Sequence, residues 1–192
     1  MPRILAFAGS ARTDSLNKKA LAVAVDGARN AGAEVTVIDL RDYPIPLYDG
    51  DLEEASGMPA NAQTIKDCFL GHEGLLIATP EYNSSFTPLL KNMLDWVSRP
   101  QGDEPPLAAF TGKTAALVSA SPGQYGGIRS VEAMRTLLGN IRVTVIPEQA
   151  TVPRAAEAFQ PDGSLSDPAI EKSLRAVGKA LAAAMTKSPQ PA

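Results

Sequence analysis

"FAGSARTDSLNKKAL", residues 7–21, carries an apolar run through a polar turn into a helical pattern. Upstream, "RILAFAG" (3–9) reads as a short buried strand; downstream, a helix is expected from Ser15 to Ala31, ending at Gly32. Gly9 permits close backbone approach, and Ser10, Ser15 and Asn17 offer hydroxyl and amide groups. Arg12 supplies a charged fork that suits phosphate, and the free N–H groups of a helix start favour an anion. The turn matches neither GxGxxG nor GxxxxGK[ST]. A helix cap at Asp14 or Ser15 beside an unrelated exposed Arg12 explains the same residues. Lys18 and Lys19 read as solvated helix residues.

The pattern repeats along the chain. "EVTVIDL" (34–40), "GLLIATP" (74–80), "TAALVSAS" (114–121) and "RVTVIPE" (142–148) read as further strands. Helices are expected over 60–70, 85–99, 126–139 and 168–185, with 42–60 a long irregular loop. Five strands separated by helices predict right-handed βαβ crossovers and a parallel sheet covered on both faces. The economical arrangement is α/β, a flavodoxin-like three-layer sandwich with a five-stranded parallel sheet in order 2-1-3-4-5. One domain spans 1–186, and residues 187–192 are expected to fray.

In such sheets ligands bind beyond the carboxyl ends of the strands, where the order reverses. The loops after strands one, three and four should therefore carry unusual residues, and they do. "TPEYNSSFTP" (79–88) clusters Pro80, Glu81, Tyr82 and Asn83, which could give a planar heteroaromatic a flat wall and backbone groups along its edge. Ser85 capping the next helix, with Tyr82 merely packing, is the plainer account. "SASPGQYGGIRS" (119–130) brings Ser119, Ser121, Gly123 and the pair Gly126–Gly127 toward the same crevice, or is simply a glycine-rich turn.

Composition excludes several classes. A net charge of −3 and a pI near 5.2 argue against a nucleic-acid partner, and no apolar run approaches the roughly 18 residues of a membrane span. The chain start lacks the features of a signal peptide, so a cytoplasmic location is expected. Cys68, the single cysteine, reads as a half-buried packing residue and permits no intrachain disulfide. His72, the single histidine, reads as a surface loop residue; without companions it supports neither a metal site nor a nucleophilic triad.

Together, "GSARTDSLN", "TPEYNSSFTPLLKNMLDW" and "SASPGQYGGIR" resemble the NADPH-dependent FMN reductase family, which includes quinone, chromate and azo-dye reductases. The resemblance implies that Ser10, Arg12, Ser15 and Asn17 hold the FMN phosphate. It implies that Pro80, Glu81, Tyr82 and Asn83 line the isoalloxazine and ribityl chain. Ser119, Ser121, Gly123, Gly126 and Gly127 would complete the pyrimidine edge. It further implies NADPH or NADH as co-substrate, a small-molecule electron acceptor and a ping-pong cycle with no catalytic side chain. Family members are commonly homodimers or homotetramers; Trp96, Arg129 and Glu148 are then candidate interface residues, although Trp96 also reads as plain core. Many relatives have Pro-Gly where this chain has Thr87-Pro88. A flavodoxin-type one-electron carrier is the alternative reading.

Overall fold

A computed structural model describes residues 1–187. Its strands are β1 (Arg3–Ala8), β2 (Glu34–Ile38), β3 (Gly74–Ala78), β4 (Thr114–Ala120) and β5 (Thr144–Val152). All pairings are parallel and the order is β2-β1-β3-β4-β5, as expected. The helices are α1 (Leu16–Asn30), α2 (Gly50–Ser56), α3 (Ala60–Leu70), α4 (Pro88–Val97), α5 (Ile128–Asn140), α6 (Ala155–Ala158) and α7 (Pro168–Lys187). α7 ends at Lys187, and the expected fray lies beyond it, outside the described residues.

The chain moves one way from β1 to β2 and the other way from β3 to β5. Right-handed crossovers therefore place α1 on one face and α3, α4 and α5 on the other. The two core layers differ in size. On the α1–α7 face the strands contribute mostly small residues, among them Ala6, Ala8, Ala78, Ala116 and Ala120. On the other face Phe7 packs on Phe69 with ring centroids 5.6 Å apart, and Phe69 meets Phe110 edge-on at 5.4 Å. Alternate residues of one strand serve opposite layers, so Ala6 and Phe7 belong to different cores.

Several elements differ from the sequence expectation for local reasons. α4 starts at Pro88 because Thr87 caps it, and α5 starts at Ile128 because Gly126 and Gly127 both have positive φ, 61° and 89°. β5 runs on to Val152 past an irregularity in register: Ala115 faces Val145, yet Leu117 faces Gln149. Pro147, which has no N–H for the ladder, lies in that bulge. The Arg135 guanidinium donates to the Ile146 carbonyl at 2.8 Å and to the Gln149 side chain at 2.7 Å. α2 forms within the stretch expected to be irregular, started by the Asp49 side chain accepting from the Asp51 N–H.

Trp96 is a correction. It is 0% exposed, its indole N–H donates to the Pro46 carbonyl at 2.9 Å, and Tyr48 packs edge-on against it. It belongs to the core of one chain and offers no surface to a partner. Cys68 is half-buried, and burial pushes its thiol pKa up. His72 is a packed connector rather than a loose loop residue: Nδ1 lies 2.7 Å from the Cys68 carbonyl and Nε2 lies 2.8 Å from the Thr36 hydroxyl. A carbonyl can only accept, so Nδ1 carries a proton and donates to Cys68, and in the neutral ring Nε2 then accepts from the Thr36 hydroxyl.

α1 and α7 cross at two glycines. A β-carbon on Gly178 would lie 1.9 Å from the Ala24 carbonyl oxygen, and one on Gly27 would lie 2.1 Å from the Arg175 carbonyl oxygen. Gly178→Ala should therefore destabilise the protein by about 1–3 kcal/mol through overpacking, despite a gain of roughly 1 kcal/mol in helix propensity. Urea unfolding of the variant reads the net sign.

Lys113 enters β4 at the end of the sheet away from the three loops, its ammonium donating to the His72 carbonyl. Burial lowers its pKa from 10.5 to about 8, with Glu73 opposing the shift and Arg3 adding to it. Between those values the unfolded chain binds more protons than the folded one, so this residue's contribution to stability rises with pH. Unfolding free energies of the protein and of Lys113→Met, compared from pH 8 to 10.5, should diverge in favour of the unsubstituted protein as pH rises.

Candidate functional site

Beyond the carboxyl ends of β1, β3 and β4, the three loops enclose a crevice lined by Ser10, Arg12, Ser15, Asn17, Pro80, Glu81, Tyr82 and Ser121 among others. Loop one is shaped by close packing: a β-carbon on Gly9 would lie 2.3 Å from Leu90 Cγ of α4. Ser15 is the N-cap of α1, its hydroxyl oxygen accepting from the Lys18 N–H at 3.3 Å. The first-turn N–H groups of α1 ahead of Lys18 have no partner within the helix, as at any helix start, and lie at its positive end. Arg12 is exposed, and among the described residues its guanidinium has no hydrogen-bond or ion-pair partner. Asp14 nearby is taken by Lys19 at 2.6 Å, which holds its carboxyl below the usual range.

Asn17 has a different occupation. It is buried; its Nδ2 donates to the Ala120 carbonyl at 2.7 Å, and its Oδ1 accepts from the Ala120 N–H at 3.0 Å. The side chain pins the first turn of α1 to the end of β4. Loop one is also tied to α4, because the Thr87 hydroxyl donates to the Gly9 carbonyl at 2.8 Å while accepting from the Leu90 N–H at 3.3 Å. The sequence departure at Thr87-Pro88 is thus a capped helix start, with Pro88 suited to the first helical position.

In loop three, residues 82–85 form a tight two-residue hairpin. Tyr82 and Ser85 pair in an antiparallel bridge, and Asn83 and Ser84 between them have φ of 52° and 67°. Positive φ at both central positions marks the type I′ turn, which favours Asn at the first position and Gly at the second. The hairpin presents Tyr82 with 52% of its surface exposed.

Glu81 points the other way. Its Oε2 accepts from the backbone N–H groups of Arg129 at 3.1 Å and Ser130 at 3.4 Å, and its Oε1 accepts from the Arg129 guanidinium at 3.2 Å. Gly127 has no side chain with which to cap α5, so Glu81 caps it from loop three.

Ser119, expected at the flavin's pyrimidine edge, lies below the crevice. It is 0% exposed and donates to the Thr79 carbonyl at 2.7 Å, and a β-carbon on Gly127 would sit 2.0 Å from its oxygen. That expectation fails for its side chain: Ser119 is a strut between β3 and β4. Ser130 extends the strut, donating to the Pro80 carbonyl at 2.9 Å with the Thr79 hydroxyl 2.6 Å away. Ser121 is half-buried and accepts from the Gly123 N–H at 3.2 Å; Gly126 is held tightly against Thr151 and Pro153. Sequence reasoning passed over Tyr125, which is 55% exposed and carries Arg129 over its ring at 5.0 Å. An aromatic between glycines, "GQYGG", was the available signal.

The profile of the NADPH-dependent FMN reductase family matches residues 2–157. The chain belongs to that family. The family is one of oxidoreductases that use FMN and NAD(P)H. The chain is 34% identical over 166 residues to an NAD(P)H-dependent FMN reductase of Pseudomonas aeruginosa, covering 86% of this chain and 85% of the relative. It is 33% identical over 160 residues to a quinone reductase of Pseudomonas putida, covering 83% and 82%. The flavoenzyme NAD(P)H:(acceptor) oxidoreductase FerB of Paracoccus denitrificans superposes with a TM-score of 0.78 at 28% identity, over 97% of this chain and 98% of that one.

The chemistry of the crevice fits an anionic, aromatic group: Arg12 without an ion-pair partner among the described residues and the start of α1 lie at one end, and the exposed ring of Tyr82 lines it. Among the described residues no helix is long and apolar enough to cross a membrane.

Thr87→Val removes both the cap of α4 and the bond to Gly9. It should cost about 1–2 kcal/mol of stability in urea unfolding, and Thr87→Ser should recover most of that loss.

Proposed function

We propose that this chain is an FMN-dependent NAD(P)H oxidoreductase that takes two electrons from NADPH or NADH and delivers them to a small acceptor. The acceptor is a quinone, an azo compound, chromate or free flavin. The observation that carries the reading is the unpaired Arg12 beside the open start of α1, at the point where the strand order reverses. A phosphate there meets a guanidinium, hydroxyls from Ser10 and Ser15, and first-turn N–H groups. Asn17 contributes by fixing that turn against β4 rather than by offering its whole amide.

Pro80, Tyr82 and Asn83 of loop three, with Glu81 through its backbone, form one wall for a planar ring system; Ser121, Gly123, Gly126 and Gly127 form the other. When bound, FMN supplies the redox chemistry at its N5 atom. The protein's part is to hold donor and acceptor in turn against one face. We read the cycle as ping-pong, donor and acceptor taking turns at that face. No side chain in the crevice need transfer a proton. We read the working form as a cytoplasmic homodimer or homotetramer, with exposed Glu148 on the β5 bulge and Arg129 as candidate contacts.

Two measurements test this reading. Purified protein with added FMN should oxidise NADPH or NADH in the presence of a quinone, and absence of that activity with both nucleotides would overturn it. Arg12→Ala should weaken FMN binding about ten- to a hundredfold, the equivalent of one charge-assisted hydrogen bond, with thermal unfolding unchanged. Unaltered affinity would put the phosphate elsewhere.

A further inference from the structure

Residues 11–14 form the exposed part of loop one and carry Arg12 between the buried Ser10 and Ser15. Two contacts hold this segment from nearby: the Arg12 N–H donates to the Ser10 hydroxyl oxygen at 3.3 Å, and Asp14 pairs with Lys19 of α1. Among the described residues, one hydrogen bond reaches it from elsewhere in the fold. The Arg41 guanidinium donates to the Thr13 hydroxyl at 2.6 Å, across 28 residues of sequence.

Arg41 is itself held at its base. It sits in a single helical turn, Leu40–Asp42, that follows β2, and Asp39 caps that turn by accepting from the Arg41 N–H at 3.0 Å. The other Asp39 oxygen accepts from the Lys18 ammonium at 2.5 Å, and Lys18 belongs to the first turn of α1. The end of β2 is thereby tied both to the start of α1 and to the exposed part of loop one. Arg12 lines the crevice, whereas Thr13 and Arg41 stand outside its lining. Any effect of the Arg41–Thr13 bond on a ligand must therefore pass through its neighbour Arg12.

We propose that Arg41 is a positioning residue for phosphate recognition: by holding Thr13 it keeps Arg12 in the arrangement that meets the phosphate. This rests on the reading of the crevice as an FMN site. When only a fraction of molecules hold a binding arrangement, the apparent affinity falls by that fraction. A tie that raises the fraction strengthens binding without touching the ligand. The bond is exposed and competes with water, so its effect is modest, about three- to tenfold in affinity.

The test titrates the full chain with FMN and with riboflavin, which lacks the phosphate, and reads affinity by quenching of flavin fluorescence at one ionic strength. Arg41→Ala removes the donor, Thr13→Val removes the acceptor but no charge, and Thr13→Ser keeps the hydroxyl. Arg41→Ala and Thr13→Val should each weaken FMN binding about three- to tenfold and riboflavin binding less than twofold. Thr13→Ser should stay within about twofold of wild type. Because Arg41 acts through Arg12, adding Arg41→Ala to Arg12→Ala should change FMN affinity by less than about twofold, a non-additive pair.

A loss in Arg41→Ala with none in Thr13→Val would make the guanidinium a charge acting through space, and would overturn the proposal. So would equal losses for FMN and riboflavin, the mark of a general brace, or a loss that persists in full once Arg12 is gone. Unaltered FMN affinity in both single variants would overturn it as well. Wild-type protein that binds riboflavin as tightly as FMN would instead refute the phosphate site of the functional reading, before any variant is compared.

Discussion

Two hydrogen bonds between one buried side chain and one residue's backbone govern the geometry of the crevice. The Asn17 amide takes both the carbonyl and the N–H of Ala120, fixing the first turn of α1 over the ends of β3 and β4. Without that clasp the helix start would be free to tilt, and the anion-attracting N–H groups would have no set direction. The other ties build on it. Thr87 joins loop one to α4, Ser119 joins β4 to β3, and Glu81 joins loop three to α5. Each connects elements far apart in sequence, so the three loops are tied into one hydrogen-bonded rim.

Much of the architecture was legible in the sequence because it rests on local pattern. Five apolar runs alternating with helical periods give the sheet, and the polar residues after strands one, three and four mark the rim. The division of labour among those residues was not legible. Glu81, Asn17 and Ser119 share the composition of their neighbours, yet their side chains serve the frame, while Arg12, Tyr82 and Tyr125 stay open. Their partners lie between 40 and 103 residues away, and no periodicity reports a contact at that range. α2 was missed for a related reason: Tyr48 and Arg99 both bond Glu53, so tertiary contacts hold a turn that its Pro- and Gly-rich surroundings do not advertise.

The unequal core layers explain how a fold of this size positions its rim. Small residues under α1 let that helix and α7 sit close to the sheet, near enough to cross at paired glycines. The opposite face, beneath α3 and α4, is filled by larger side chains, among them Phe7, Phe69 and Phe110. The position of the α1 start is thus set by packing below as much as by hydrogen bonding above.

The bulge in β5 has a consequence for how copies of this chain can meet. β5 is an outer strand of the sheet, where an unbroken row of N–H and C=O groups would template the addition of a foreign strand. Pro147 supplies no donor, the register breaks between Val145 and Gln149, and Arg135 occupies the Ile146 carbonyl from within. The break interrupts the row of backbone groups from Val145 to Gln149, so a foreign strand cannot pair along the whole border in one unbroken ladder of the kind that seeds fibrils.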